Sequence, residues 1–367
     1  MRIIFLGTPD FSVPVLERLL DSKHTIVAVI TQPDKKRNRG EVTFSPVKEC
    51  ALRHNLQVLQ YDKIRLQGVE DIKALNPDIM VTVAYGQIIS QQILDIPRFG
   101  VVNVHASLLP KYRGSSPIQQ AIAHGEKYTG ITIMQTALGV DCGDIILQKQ
   151  VEILQGETAG ELFDRLSLLG GDELLQALEM IENGSATFTR QDESLATHFP
   201  MLQKDDGRID WTRSAEQIVW HIAAMDPWPS AFSYLDGKLL KVWKARACET
   251  NDLQDGEILQ KKQCECETNN LQCGENLQKK QCECETNDLQ GDATLNKKQC
   301  ECGTNDLQDE SVSLRKVGEI FVQHNRCFVR AGKGLVELFE VQAEGKKRMT
   351  VQAFLLGNKI TKETILS

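Results

Sequence analysis

Asn103 and His105 stand two residues apart inside the run VVNVHASLLPKYRGSSPIQQ, Val101 to Gln120. If that run opens as a strand, as the β-branched Val101, Val102 and Val104 favour, the amide and the imidazole leave the same face of the pleat. One group donates and accepts hydrogen bonds; the other does both and can also carry a proton near neutral pH. A second stretch with chemical potential is Leu138-Gly139-Val140-Asp141-Cys142-Gly143-Asp144, where two carboxylates sit beside two glycines. That loop suits either a turn or a catalytic acid held close to a ligand. Taken singly, a strand-end amide, a lone imidazole and a loop carboxylate are more often structural than catalytic, because short patterns recur by chance.

The surrounding elements say where such groups would sit. Pro110 has no N–H and biases Leu109 toward extended geometry, so the strand must give way to a loop over Ser107 to Pro110. Arg2 to Leu6, Thr25 to Thr31 and Asp78 to Ala84 are further apolar strands, and Ser12 is placed to cap an intervening helix. Near-continuous apolar strands separated by helices mean a mainly parallel, Rossmann-like α/β sheet covered on both faces. Ligands collect beyond the carboxyl ends of the strands in such sheets, and Asn103 and His105 fall there. Gly7-Thr8-Pro9-Asp10 lacks the three-glycine spacing of a dinucleotide site, and no phosphate loop ending in Gly-Lys-Ser/Thr occurs. Gln32 to Gly40 gathers Lys35, Lys36, Arg37 and Arg39 in a polar loop, which is either solvated surface or a contact to phosphate.

Downstream, Thr129 to Gln135 reads as a strand. Thr158 and Glu161 form a capping box for a helix through Leu169, and a second amphipathic helix is expected from Asp172 to Asn183 with Gly184 as its stop. Residues 185–204 have little periodicity and read as a linker. Past them come a helix at Ser214 to Met225 and short strands at Leu239 to Ala245, Gly318 to Gln323, Cys327 to Ala331 and Gly334 to Gln342. Such strands argue for a small OB-like β-barrel, with Lys346, Lys347 and Arg348 after its last strand. The expected organisation is an α/β domain over 1–184, the linker, and a β-barrel domain over 205–367 interrupted by an insert at 248–311. In the insert CETNDLQ, or a close variant, recurs at Cys248, Cys266, Cys284 and Cys302, a period of 18. It has no aromatic residue and too little apolar surface to offset ordering, so disorder or an exposed excursion is expected. Its Cys-x-Cys pairs either bind a soft metal or belong to a tandem expansion tolerated in a surface loop.

At 367 residues the chain suits two domains. No run of 18 apolar residues occurs, and the apolar start Ile3 to Leu6 is cut off at Gly7, too soon for a signal peptide, so a cytoplasmic protein with no membrane partner is expected. Eight of the 11 cysteines lie in the insert; Cys50, Cys142 and Cys327 are too scattered for a disulfide framework. The insert holds 15 acidic and 6 basic residues, a net of −9 against −8 for the whole chain, so the remainder carries +1. An acidic total therefore does not exclude a nucleic-acid partner, since local patches steer binding.

A denser series of motifs joins these stretches: FLGTPDFS (Phe5 to Ser12), TQPD (Thr31 to Asp34), SPVK (Ser45 to Lys48), AYG (Ala84 to Gly86), NVHASLLPKYRGSSPIQ (Asn103 to Gln119) and GVDCGD (Gly139 to Asp144), then RIDW (Arg208 to Trp211), DPWP (Asp226 to Pro229) and KVWKA (Lys241 to Ala245). On these the chain resembles the folate-dependent formyltransferases. The resemblance implies 10-formyltetrahydrofolate as donor co-substrate and initiator Met-tRNA as acceptor and partner; a monomer without a metal is expected. The resemblance implies that Asn103 and a protonated His105 stabilise the oxyanion of a tetrahedral intermediate, with Asp141 supporting His105 and taking up a proton. It also implies folate contacts from Ser107, Leu108, Leu109 and Pro110, and acceptor-stem contacts from the Lys35, Lys36, Arg37 and Arg39 loop. That loop is shorter than in the family, with Glu41, Val42 and Thr43 after Arg39-Gly40, which weakens or shifts the expected tRNA contact and leaves Arg39 at its centre. Asp144 is read as structural, His124 and Cys142 as non-catalytic. Two alternatives stay open: a formyltransferase acting on another amine, such as a sugar nucleotide or glycinamide ribonucleotide, and a non-catalytic RNA-binding module.

Overall fold

Apolar runs with few polar interruptions need cover on both faces, and the first half of the chain satisfies them by alternating strand and helix. A computed structural model describes residues 1–37, 41–248, 315–361 and 364–367, and everything below concerns the unit formed by Met1–Cys248 and Lys316–Ser367. The chain opens with β1 (Arg2–Gly7), α1 (Ser12–Leu20) and β2 (Thr25–Thr31), followed by a ribbon of β3 (Lys35–Arg37) and β4 (Glu41–Thr43). It continues with α2 (Pro46–Arg53), β5 (Val58–Gln60), α3 (Ile64–Gln67), α4 (Val69–Leu75), β6 (Ile79–Val83), α5 (Gln91–Leu94), β7 (Val101–His105) and β8 (Arg113–Gly114). Then come α6 (Pro117–Ala123), β9 (Tyr128–Gln135), β10 (Ile145–Glu152) and α7 (Ala159–Glu182).

Seven of these strands form one sheet in the order β10-β9-β7-β6-β1-β2-β5. The pairs among β5, β2, β1, β6 and β7 are parallel, and β9 runs antiparallel to both neighbours. The sheet is therefore mainly parallel and Rossmann-like, as expected. Phe5, Val81 and Val104 face one apolar cluster with α1 and α7, while Leu6, Met80 and Val101 face the other.

Three local expectations are corrected. Ser12 is not a cap: Phe11 holds that position, and the buried Ser12 hydroxyl donates to the Val83 carbonyl (2.6 Å), tying α1 to β6. The two helices expected on either side of Gly170-Gly171 are one, α7, 24 residues long behind the expected Thr158–Glu161 capping box. Its glycines mark a close crossing, since a Cβ would lie 3.0 Å from Val104 Cγ1 at Gly170 and 2.8 Å from Arg18 Cβ at Gly171; packing against α1 offsets their poor helix propensity. The basic segment is not an irregular loop, because Lys35–Arg37 pairs with Glu41–Thr43.

The second half contains β11 (His198–Phe199), α8 (Ala215–Met225), β12 (Ala231–Leu235), β13 (Lys238–Cys248), β14 (Ile320–Gln323), β15 (Arg326–Arg330), β16 (Leu335–Ala343), β17 (Met349–Thr350) and a last helix, Val351–Gly357. β12, which the sequence reading passed over, heads an antiparallel sheet ordered β12-β13-β16-β15-β14. The chain end closes it: Ile320 N–H donates to Thr364 O (2.9 Å) and Leu366 N–H to Gly318 O (2.8 Å) on the β14 edge, while Tyr234 N–H donates to Ser367 O (2.9 Å) on the β12 edge. Both open edges of the sheet are thereby covered. One apolar cluster joins the halves, with Ile118 and Ile122 of α6 and Ile218 and Ile222 of α8 among its members. Cys50, Cys142, Cys248 and Cys327 are free thiols. Among the described residues no helix is long and apolar enough to cross a membrane. Glu249 to Ser311 of the repeat insert lie outside the described residues.

Candidate active site

Alternation along β7 decides which side chains reach the carboxyl end of the sheet. Val102 and Val104 belong to the larger core cluster and Val101 to the smaller one, which puts Asn103 and His105 together on the Val101 face. Thr82 of β6, in register with Asn103, donates its hydroxyl to Asn103 Oδ1 at 2.7 Å. The amide is thereby oriented, and its Nδ2 has no protein partner among the described residues.

His105 is 6% exposed, with Nε2 2.9 Å from the Tyr112 carbonyl. A carbonyl only accepts, so Nε2 carries a hydrogen, and Nδ1 can donate only when the ring is an imidazolium. Nδ1 lies 3.6 Å from Asp141 Oδ2, which also accepts the Gly114 N–H at 2.8 Å. Asp141 adopts a left-handed backbone (φ 49°) that aims its carboxylate back toward β7 from the loop between β9 and β10. The three residues singled out from sequence thus lie around one strand end: His105 and Asp141 in contact, Asn103 beside them on the same face. Such a group can donate two hydrogen bonds to a developing oxyanion and hold a carboxylate nearby for a proton.

The segment expected to touch folate is braced from within. The Ser107 hydroxyl donates to the Lys111 carbonyl (2.7 Å), and Ser107 O accepts from Thr132 Oγ1 (2.6 Å). The Leu109 N–H donates to Thr132 Oγ1 (3.1 Å), and Gln148 Nε2 to the Leu109 carbonyl (2.9 Å). Ser107 and Leu109 are buried, so Leu108 and Pro110, both half-buried, are what this segment turns outward. Lys35, Lys36 and Arg37 lie in the ribbon, whose base is held by Lys48 donating to Asp34 and to Gln60 Oε1 (2.9 Å). Arg39 lies outside the described residues.

The sequence reading missed the strap across the site. Residues 189–200, read as a linker, run along the loop after β7: β11 pairs with β8, Tyr112 N–H donates to Thr197 Oγ1 (2.8 Å), and the rings of Tyr112 and Phe199 stack 5.6 Å apart. Arg113, 2% exposed, donates to Gln191 Oε1 (2.7 and 3.0 Å) and grips both oxygens of Glu193 (2.8 and 2.9 Å). Burial, with Glu126 accepting its proton at 2.8 Å, pushes the Tyr112 hydroxyl above the ordinary tyrosine range. The only sequence signal for Arg113 was its place inside the NVHASLLPKYRGSSPIQ motif. His124, expected to be non-catalytic, packs edge-on to Phe199 at 5.3 Å. Two clefts, of about 740 and 400 Å³, are lined by other residues, among them Asp10, Phe44 and Arg53 in the first and Trp211 and Leu366 in the second.

Comparison with known proteins adds to this geometry. Residues 1–178 match the family described as "Formyl transferase", and residues 201–286 match "Formyl transferase, C-terminal domain". The methionyl-tRNA formyltransferase of Agathobacter rectalis is 39% identical over 97% of this chain and 96% of its own length. That of Caldanaerobacter subterraneus is 42% identical over 100% of both. Among solved structures, the N-formyltransferase of Helicobacter canadensis in complex with folinic acid and dTDP-3-aminofucose superposes with a TM-score of 0.59, at 15% identity, covering 93% of this chain and 98% of that one. At that identity the likeness speaks for the fold alone.

Proposed function

This chain belongs to the formyl transferase family and is an enzyme of it, and from that premise we propose that it moves the formyl group of 10-formyltetrahydrofolate to the α-amine of methionine on initiator Met-tRNA. The observation that carries this reading is the approach of His105 Nδ1 to Asp141 at the end of the strand whose same face presents Asn103. The amine attacks the formyl carbon, a carbon–nitrogen bond forms, and negative charge develops on the formyl oxygen. Asn103 Nδ2 and the imidazolium of His105 donate to that oxygen, Nε2–H staying on the Tyr112 carbonyl so that Nδ1–H faces the reaction. Asp141, whose Oδ2 lies 3.6 Å from Nδ1, favours the imidazolium by its charge while the Nδ1–H turns to the oxyanion, and through a water it accepts the proton lost by the amine. When the tetrahedral species collapses, the bond to the folate nitrogen breaks and that nitrogen takes a proton. Leu108 and Pro110 are the residues of their segment that can meet the folate, Ser107 and Leu109 holding them in place. Because the acceptor is a translation substrate, the cytoplasm is the compartment proposed, with the enzyme working as a monomer.

The test is formyl incorporation into Met-tRNA from 10-formyltetrahydrofolate by the full chain. Asn103→Ala and His105→Ala are each expected to lower kcat about a hundredfold or more, the usual loss for one oxyanion donor. A chain that formylates a sugar-nucleotide amine or glycinamide ribonucleotide and leaves Met-tRNA untouched overturns the assignment of acceptor. In the same assay Arg39→Ala is expected to raise the KM for tRNA severalfold with the folate KM unchanged, because a phosphate contact contributes to affinity and not to chemistry; an unaltered tRNA KM removes Arg39 from the interface.

A further inference from the structure

Gln191 uses every hydrogen-bonding group of its side chain. It is 5% exposed; Nε2 donates to the carbonyls of Asp141 (2.9 Å) and Gly143 (2.7 Å), and Oε1 accepts from Nη2 and Nε of Arg113 (2.7 and 3.0 Å). The two segments it joins are the ones that hold the His–Asp contact. Arg113 lies between Tyr112, whose carbonyl takes the His105 Nε2–H, and Gly114, whose N–H donates to the Asp141 carboxylate. Asp141 sits in a left-handed conformation, which costs any residue other than glycine some free energy, aspartate less than most, so contacts imposed by its surroundings help to hold it. The two donations from Gln191, one to Asp141 itself and one two residues on, are such an imposition.

We propose that Gln191 is a positioning residue of formyl transfer, setting through the Asp141 loop and Arg113 the separation between Asp141 and His105. This rests on the formyl-transfer reading above. It makes residues 189–200 part of the catalytic apparatus and not only a connection between halves. The competing account is that Gln191 merely satisfies the buried Arg113 guanidinium. Gln191→Glu separates the two, because a carboxylate still accepts from Arg113 but cannot donate to the Asp141 and Gly143 carbonyls.

The experiment measures kcat, both KM values, the pH profile of kcat and the melting temperature for the full-length wild type, Gln191→Ala, Gln191→Glu and Asp141→Asn. The expected result is that Gln191→Ala and Gln191→Glu both lose about 10- to 100-fold in kcat, the scale of a catalytic group displaced by about 1 Å. Both KM values stay within about threefold, and the pH profile moves toward that of Asp141→Asn. Should Gln191→Ala not fold, Gln191→Met, which fills similar volume without the polar atoms, takes its place. The proposal is overturned if Gln191→Glu recovers wild-type kcat, or if the truncation lowers the melting temperature while kcat and its pH profile stay put. Failure of the underlying reading looks different: the wild type itself would not formylate Met-tRNA.

Discussion

The Thr82 hydroxyl occupies Asn103 Oδ1, which leaves the Nδ2 protons for the reacting oxygen in the formyl transfer proposed above. Without that donor the amide would turn freely, and half of its orientations would present an acceptor to negative charge. Thr82→Val keeps the β-branched shape and removes the hydrogen bond, which is worth about 1 kcal/mol net. A fall in kcat of roughly five- to tenfold is expected, with the KM values unmoved; single-turnover kinetics indistinguishable from wild type would show that Asn103 is oriented by something else. Residues of this kind differ in how readable they are. Asn103 and His105 share a face through the two-residue period of a valine-rich strand and Asp141 stands in a glycine-bearing loop, but it was the surrounding series of motifs that singled them out. Arg113 and Gln191 lie 78 positions apart and meet only through folding, so no local pattern announces them.

At the scale of elements, the short pair β8 and β11 does what a loop alone would not. Gly114 has φ 104°, its N–H donates to Asp141, and a Cβ there would stand 2.1 Å from the Phe199 carbonyl oxygen. Only glycine lets the strap approach so closely. Gly114→Ala must move either the strap or the 112–114 segment, and a loss of about 1–3 kcal/mol or more in urea-unfolding stability is expected, together with a fall in kcat. Retention of both would mean that the strap is not held there. The single helix α7 illustrates the opposite error. Gly170-Gly171 resembles a break when read along the chain, yet across the chain it is the place where Val104 and Arg18 need room.

At the scale of the whole molecule, pH sensitivity comes from partly buried carboxylates held by donors within each half. Burial alone would raise Glu337, but hydrogen bonds from Arg326 and Arg246 outweigh it and hold the group below its ordinary 4.5. Asp34 follows the same logic against burial through Lys48 and Gln60, and Glu126 through Tyr112 and Lys111. For groups with depressed folded values, stability is fully present above the unfolded value and is lost as pH falls through the folded one. Asp226 and Glu173 act the other way, since burial raises both, and they are outnumbered. The three pairs are therefore expected to lower the melting temperature progressively below about pH 5, after a first loss as pH falls through the ordinary histidine range, where burial keeps His221 and His24 from protonating; a melting temperature unchanged or rising between pH 5 and 3 would contradict this reading of the three pairs. The net −8 of the chain says little about partners, because the insert carries −9 of it.

What the sequence by itself determined follows from short-range rules. Strand alternation put Asn103 and His105 on one face, apolar continuity required a sheet covered on both sides, and a capping box marked the start of α7. These are decided by neighbours a few residues apart, where side-chain period and backbone sterics act directly. Tertiary structure alone decided that α7 runs on through its glycines, that the last residues close the barrel between β12 and β14, and that residues 189–200 lie across the site instead of hanging free. Each depends on a partner far along the chain, such as Val104 for Gly170, Tyr234 for Ser367 and Arg113 for Gln191. Hydrogen bonds and close packing between distant segments leave no period in the sequence to be read.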